Sequence, residues 1–156
     1  MKFAFPGLRG GIISLEALKG RAVLIVNTAS QCGFTPQYAA LEWLHEKKQE
    51  QGLTIIGVPC DDFGGQEPAD ENGIGEFCRV NYGVNFPMTE KLHVKGPEIH
   101  PFYAFAAQRF GWLGKPKWNF HKYLLNRQGE LVDYFHSFIA PDSGRLVGAV
   151  DKQLKG

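Results

Sequence analysis

The sequence predicts an α/β fold, a central mixed β-sheet flanked by helices with a β-hairpin at the N-terminus. Three observations predict it. Ala22-Val23-Leu24-Ile25-Val26 is continuously apolar and rich in β-branched residues, the composition of a central strand buried on both faces. An amphipathic run and then Leu53-Thr54-Ile55-Ile56-Gly57-Val58 follow it, and strand–helix–strand implies a right-handed parallel crossover. Finally, Tyr123-Leu124-Leu125 and Leu131-Val132-Asp133-Tyr134-Phe135 flank Asn126-Arg127-Gln128-Gly129, a hairpin that makes the sheet mixed.

Residues 2 to 14 read as the N-terminal hairpin. Lys2-Phe3-Ala4-Phe5 alternates, Pro6-Gly7 and Gly10-Gly11 punctuate, and Ile12-Ile13-Ser14-Leu15 returns. A short helical turn over Leu15 to Lys19 ends at Gly20. After the central strand, Thr35 reads as an N-cap with Pro36 at the first helical position. That helix carries Tyr38, Leu41 and Leu44 on one face and runs to about Gln51, with Gly52 closing it. A second helix is predicted from Asp70 to about Asn81. It is weakened by Gly73 and Gly75, each costing roughly 1 kcal/mol relative to alanine. His100 to Gln108 reads as a third helix, and Gly111 to Lys117 as a glycine-containing loop that delivers Trp118-Asn119. Asp142 is the expected cap of a last helix, with Leu146, Val150 and Leu154 at four-residue spacing. Repeats, linkers and low-complexity stretches are not visible, so residues 1–156 read as a single domain.

Cys32 stands where the first strand gives way to its helix, in Asn27-Thr28-Ala29-Ser30-Gln31-Cys32-Gly33-Phe34-Thr35-Pro36. Unpaired N–H groups and the positive end of the helix dipole favour a thiolate there. A small buried hydrophobe is the alternative reading of the same position. The second buried strand ends in Cys60, so both segments emerge at the carboxyl edge of one sheet, where open α/β sheets place their sites. Composition narrows the partners. With 17 basic against 16 acidic residues, net charge is +1, and nothing points to nucleic acid or an acidic membrane surface. Three widely spaced cysteines make neither a disulfide framework nor a metal-ligand pair, and they fit a reducing compartment. The five dispersed histidines lack metal-ligand spacing, so neither metal nor cofactor is expected. Met1–Gly7 reaches a turn too soon for a secretory signal, and no run approaches membrane-spanning length. A cytoplasmic protein is expected.

Three separated motifs now combine: the Cys32 turn, Pro59-Cys60-Asp61-Asp62-Phe63-Gly64-Gly65-Gln66-Glu67-Pro68, and Lys117-Trp118-Asn119-Phe120. In this order they resemble the glutathione peroxidase family, with cysteine where some members carry selenocysteine. The resemblance runs from about Val23 to Phe135 and includes Phe86-Pro87-Met88, His100-Pro101 and Leu124-Leu125-Asn126-Arg127-Gln128-Gly129. It implies a thioredoxin-like fold, which the strand and helix order also suggests, and a thiol peroxidase acting on hydrogen peroxide and organic hydroperoxides. It further implies Cys32 as the attacking thiol, with Gln66, Trp118 and Asn119 around its sulfur. The residue types suit the task, since an amide and an indole N–H donate hydrogen bonds without adding a titrating charge.

Asp61 and Asp62 depart from the family, which usually has Asn-Gln here. A carboxylate pointing at the Cys32 sulfur would oppose the thiolate; one that caps a neighbouring turn would not. Cys60 reads as structural, and His121 as a residue on one face of its strand. Recycling of the oxidised cysteine has two routes. In one, Cys78 closes a disulfide that thioredoxin reduces; in the other, a small thiol such as glutathione acts directly. Counted back from Phe86-Pro87, different branches would place the resolving cysteine at Cys78 or at Arg79. Nothing resembles a long oligomerisation insert, so a monomer is expected. The alternative function is a non-enzymatic thiol redox sensor or binding module on the same fold. A Cys-x-x-Cys disulfide reductase is disfavoured because Cys32-Gly33-Phe34-Thr35 lacks the second cysteine.

Overall fold

The computed structural model describes residues 2–65, 67 and 70–156. A short antiparallel hairpin, β1 (Ala4–Pro6) and β2 (Ile12–Ser14), precedes the main sheet. The sheet is built from β3 (Ala22–Thr28), β4 (Leu53–Pro59), β5 (Lys122–Leu125) and β6 (Leu131–Phe135), in the order β4-β3-β5-β6. The β3–β4 pair is parallel, with Leu24 opposite Ile55, whereas β5 runs antiparallel to both β3 and β6. The sheet is therefore mixed, and its arrangement is thioredoxin-like. Every residue of β3 and β4 is buried, as their unbroken apolar runs require.

The helices are α1 (Gln37–Lys48), α2 (Glu71–Tyr82), α3 (Pro101–Phe110) and α4 (Gly144–Lys155). One face of the sheet, through Leu24, Val26 and Leu124, packs with α1, α2 and α4. The other, through Ile25, Val58 and Tyr123, packs with the hairpin and α3. Beyond β4 the chain returns along its outer edge. Gly57 pairs with Met88 and exchanges backbone hydrogen bonds with Pro87 and Thr89, so this edge is covered.

Several local readings need correction. The first strand continues through Asn27 and Thr28, both fully buried. Thr35 does not cap α1: its hydroxyl accepts the Cys32 N–H and donates to the Ala29 carbonyl, each at 2.9 Å. Pro36 takes the N-cap position instead, without a side-chain bond, and α1 stops at Lys48, short of Gln51. Ser143, one residue past the expected Asp142, caps α4 by accepting the Leu146 N–H. The Gly111–Lys117 loop contains a single 3₁₀ turn, Trp112–Gly114. Among the described residues no helix is long and apolar enough to cross a membrane.

Candidate active site

The carboxyl ends of β3 and β4 meet at one edge, as their parallel pairing requires: Thr28 lies opposite Pro59, and the Cys60 N–H donates to the Thr28 carbonyl. Cys32 lies four residues beyond Thr28, in a tight turn that starts here. It is only 6% exposed, and its sulfur accepts the Phe34 N–H at 3.3 Å. The turn is held from both ends by Thr35, through the Cys32 N–H and the Ala29 carbonyl. The predicted strand-to-helix turn is therefore present, and a backbone donor faces the sulfur.

Trp118 and Asn119 reach the same edge through Asn27. The Asn27 amide donates to the Trp118 carbonyl at 3.1 Å, and the Phe120 N–H donates to the Asn27 carbonyl at 2.6 Å. Phe120 has φ +64°, the only positive φ among the described non-glycine residues, and its ring is fully buried. A bulky side chain held in the left-handed region stores strain that surrounding packing must hold. Here the kink joins a partly exposed Trp118 and a buried Asn119 to the start of β5. The Trp118 ring rests against Phe63, 6.1 Å between centroids. Behind it, the Gly114 carbonyl accepts from the Tyr123 hydroxyl at 2.6 Å and lies 3.0 Å from His121 Nε2. Burial keeps the His121 ring neutral, lowering it to about 3, so Nε2–H is the donor.

Gln66 lies outside the described residues. Its neighbour Glu67, which the sequence reading passed over, is fully buried and accepts the Ser30 hydroxyl at 2.5 Å. Burial raises the Glu67 carboxyl above its ordinary range, against the opposing effects of Ser30 and Lys91. Asp61 is exposed and accepts the Glu67 N–H at 3.4 Å, so it pins its own loop. Asp62 accepts the Val94 N–H at 2.7 Å and pairs with His93 Nδ1 at 2.7 Å, tying the β4–α2 loop to the loop after β4's edge segment.

Cys78 and Cys60 occupy opposite faces of the sheet. Cys78 belongs to the same buried cluster as Cys32 and Tyr38. It is 2% exposed, and burial pushes its thiol up to about 11. It also lines a cavity of about 390 Å³ between α2 and the hairpin turn at Leu8 and Arg9. Cys60 packs on the α3 side, fully buried, and burial pushes it up to about 12. The structure thus gathers Cys32, Ser30, Tyr38, Glu67 and Cys78 on one side of the sheet edge, with Trp118 and Asn119 reaching that edge from β5. Cys60 stands apart from them.

Residues 1–107 match the family model for glutathione peroxidase. The chain belongs to the glutathione peroxidase family. It is 47% identical over 135 residues to the glutathione peroxidase-like peroxiredoxin gpx1 of Schizosaccharomyces pombe, covering 85% of each chain. It is 42% identical over 160 residues to the hydroperoxy fatty acid reductase gpx1 of a Synechocystis species, covering 97% of this chain and 94% of the relative. The crystal structure of Trgpx in its apo form superposes with a TM-score of 0.78 at 31% identity, covering 99% of this chain and 94% of that one.

Proposed function

We propose that the protein is a thiol peroxidase reducing hydrogen peroxide and organic hydroperoxides. The observation that carries this reading is Cys32, nearly buried in the turn beyond β3 with a backbone N–H on its sulfur, in a chain of this family. The Cys32 thiolate attacks one peroxide oxygen, the O–O bond breaks, and the other oxygen leaves as water or alcohol after gaining a proton. The sulfur becomes a sulfenic acid. Gln66, Trp118 and Asn119 are the groups assigned to donate hydrogen bonds to the sulfur and the departing oxygen. Cys78 is assigned as the resolving thiol, since it shares the buried cluster with Cys32. Its attack forms an S–S bond and releases water. Thioredoxin, or a small thiol such as glutathione, then restores both thiols. Three unpaired cysteines fit a reducing, cytoplasmic setting, and we assign the active unit as a monomer made of one domain over residues 1–156.

The reduced protein is to be given one equivalent of hydrogen peroxide and its cysteines mapped by non-reducing peptide mass spectrometry. A Cys32–Cys78 disulfide is expected, with turnover supported by thioredoxin. Cys32→Ser should lose at least about three orders of magnitude in turnover. Cys78→Ser should stop at the sulfenic acid and turn over only with a small thiol. Stoichiometric oxidation without turnover, whatever the reductant, would replace this reading with that of a redox sensor. An untouched Cys32 would end both.

A further inference from the structure

Among the described residues, Lys122 is the one lysine that is fully buried. It stands at the start of β5, opposite Val26 of β3 and Phe135 of β6. Both of those residues belong to the cluster that holds Cys32 and Tyr38, so the Lys122 side chain lies on the α1 face of the sheet. Its head donates to two carbonyls of the segment after β6, Ser137 at 3.0 Å and Ile139 at 2.6 Å. The Ser137 carbonyl accepts a second donor at 2.8 Å, the side-chain amide of Gln37, the first residue of α1. From Gln37 the bonds lead to the reactive turn. The Gln37 N–H donates to the Phe34 carbonyl at 2.8 Å, and the Phe34 N–H is the donor on the Cys32 sulfur at 3.3 Å.

We infer that Lys122 is a positioning residue for the attacking thiol: it fixes the Ser137 carbonyl, that carbonyl anchors Gln37, and Gln37 holds the Phe34 N–H on the Cys32 sulfur. The assignment rests on the thiol-peroxidase reading given above. Two features of the chain call for such an anchor. α1 opens on Pro36 without a side-chain bond, so its first turn lacks the local cap that ordinarily ties a helix start down. A lysine head is also costly to bury unless its donors are used, and here they are spent on the loop that meets that same turn. A hydrogen bond to a thiolate favours the charged form only while its donor is held in place, and Phe34 is held through Gln37. Burial pushes the Lys122 head down to about 7, but the neutral amine retains two N–H donors for the same two carbonyls. The anchor therefore does not depend on the charge.

Two rates on the reduced full chain test this across a range of pH: alkylation of Cys32 by iodoacetamide, read at its own peptide by mass spectrometry, and oxidation of Cys32 by hydrogen peroxide. Lys122→Met keeps a long unbranched side chain and removes the donors. The midpoint of its Cys32 alkylation curve should rise by about one pH unit, as the weakening of a hydrogen bond to a charged sulfur implies. Its peroxide rate should fall several-fold below the native midpoint and recover above its own. Gln37→Met breaks the next link at a half-buried position, should shift the curve the same way, and carries the test if Lys122→Met fails to fold. The double variant should shift no further than Lys122→Met alone, because both act through one carbonyl. A folded variant that only melts earlier, with the native alkylation curve, would make Lys122 a stabilising contact and overturn the assignment. Shifts that simply add would overturn it too. A native Cys32 that alkylates but does not react with peroxide would instead overturn the thiol-peroxidase reading, and with it the role assigned to Lys122.

Discussion

At the scale of single residues, the β4–α2 loop depends on Asp62. Burial by itself would raise this carboxyl, but the His93 ring and the Val94 N–H outweigh it and hold it below its usual range. His93 is raised in turn, by its bond to Asp62. The pair stabilises the fold where both groups are charged. Its contribution is complete below the ordinary histidine range and fades as pH rises through the raised His93 value; it also fades as pH falls through the lowered Asp62 value. His93 is more than half exposed, so the ion pair itself is worth less than about 1 kcal/mol. Asp62→Asn should therefore lower the melting temperature by at most roughly 2–4 °C near pH 5.5 and by less near pH 8, measured by thermal unfolding across that range. The reactive turn was legible in the sequence because strand, cysteine and proline lie within a few positions. Thr35 was misread, since a threonine before a proline fits the cap pattern while only the folded turn brings the Cys32 N–H to its hydroxyl. Glu67 left no signal at all. A glutamate in a polar loop is ordinarily solvated, and its burial follows from how that loop folds onto Ser30.

At the scale of elements, α2 is the weak member. It holds Gly73 and Gly75 and borders the cavity beside the hairpin turn. A methyl group at Gly75 would meet Leu8 Cδ2 at 3.7 Å, an ordinary contact, and the position needs no left-handed backbone. Gly75→Ala should consequently stabilise the protein by about 0.5–1 kcal/mol in urea unfolding. If Cys78 reaches Cys32 by local unwinding of α2, the same substitution should slow disulfide formation several-fold, and an unchanged rate would argue for reach without unwinding. The helix was expected in spite of its two glycines, which weaken it without breaking it. The one-residue slip at α4 has a simpler origin: Asp142 and Ser143 are both good caps, and only the backbone distinguishes them. The kink at Phe120 was invisible, because a phenylalanine between Asn119 and His121 does not announce a positive φ.

At the scale of the molecule, the end remote from the site is stapled by Arg127. Its guanidinium donates to the carbonyls of Gly20, Gln51 and Leu154, joining the turn before β3, the turn after α1 and the end of α4. Cations at a helix C-terminus add favourable dipole energy to these bonds. Arg127→Ala should cost about 2–3 kcal/mol and lower the melting temperature by roughly 4–12 °C, measured by calorimetry. Turnover per folded molecule at 25 °C should be retained, since the staple touches no residue at the sheet edge. The sheet itself was legible from two apolar runs and a hairpin. The position of Arg127 was not, because its partners are backbone carbonyls far apart in sequence.

The covered edge of β4 has a wider consequence. Gly57 holds Met88 from across the strand, and Gly83, with φ +59°, sits between that anchor and the end of α2. An opening of α2 can stop at this glycine and leave the sheet ladder whole. A substitution within α2 then changes the rate of cycling together with that helix's own share of the stability, while the strand ladder keeps its share untouched.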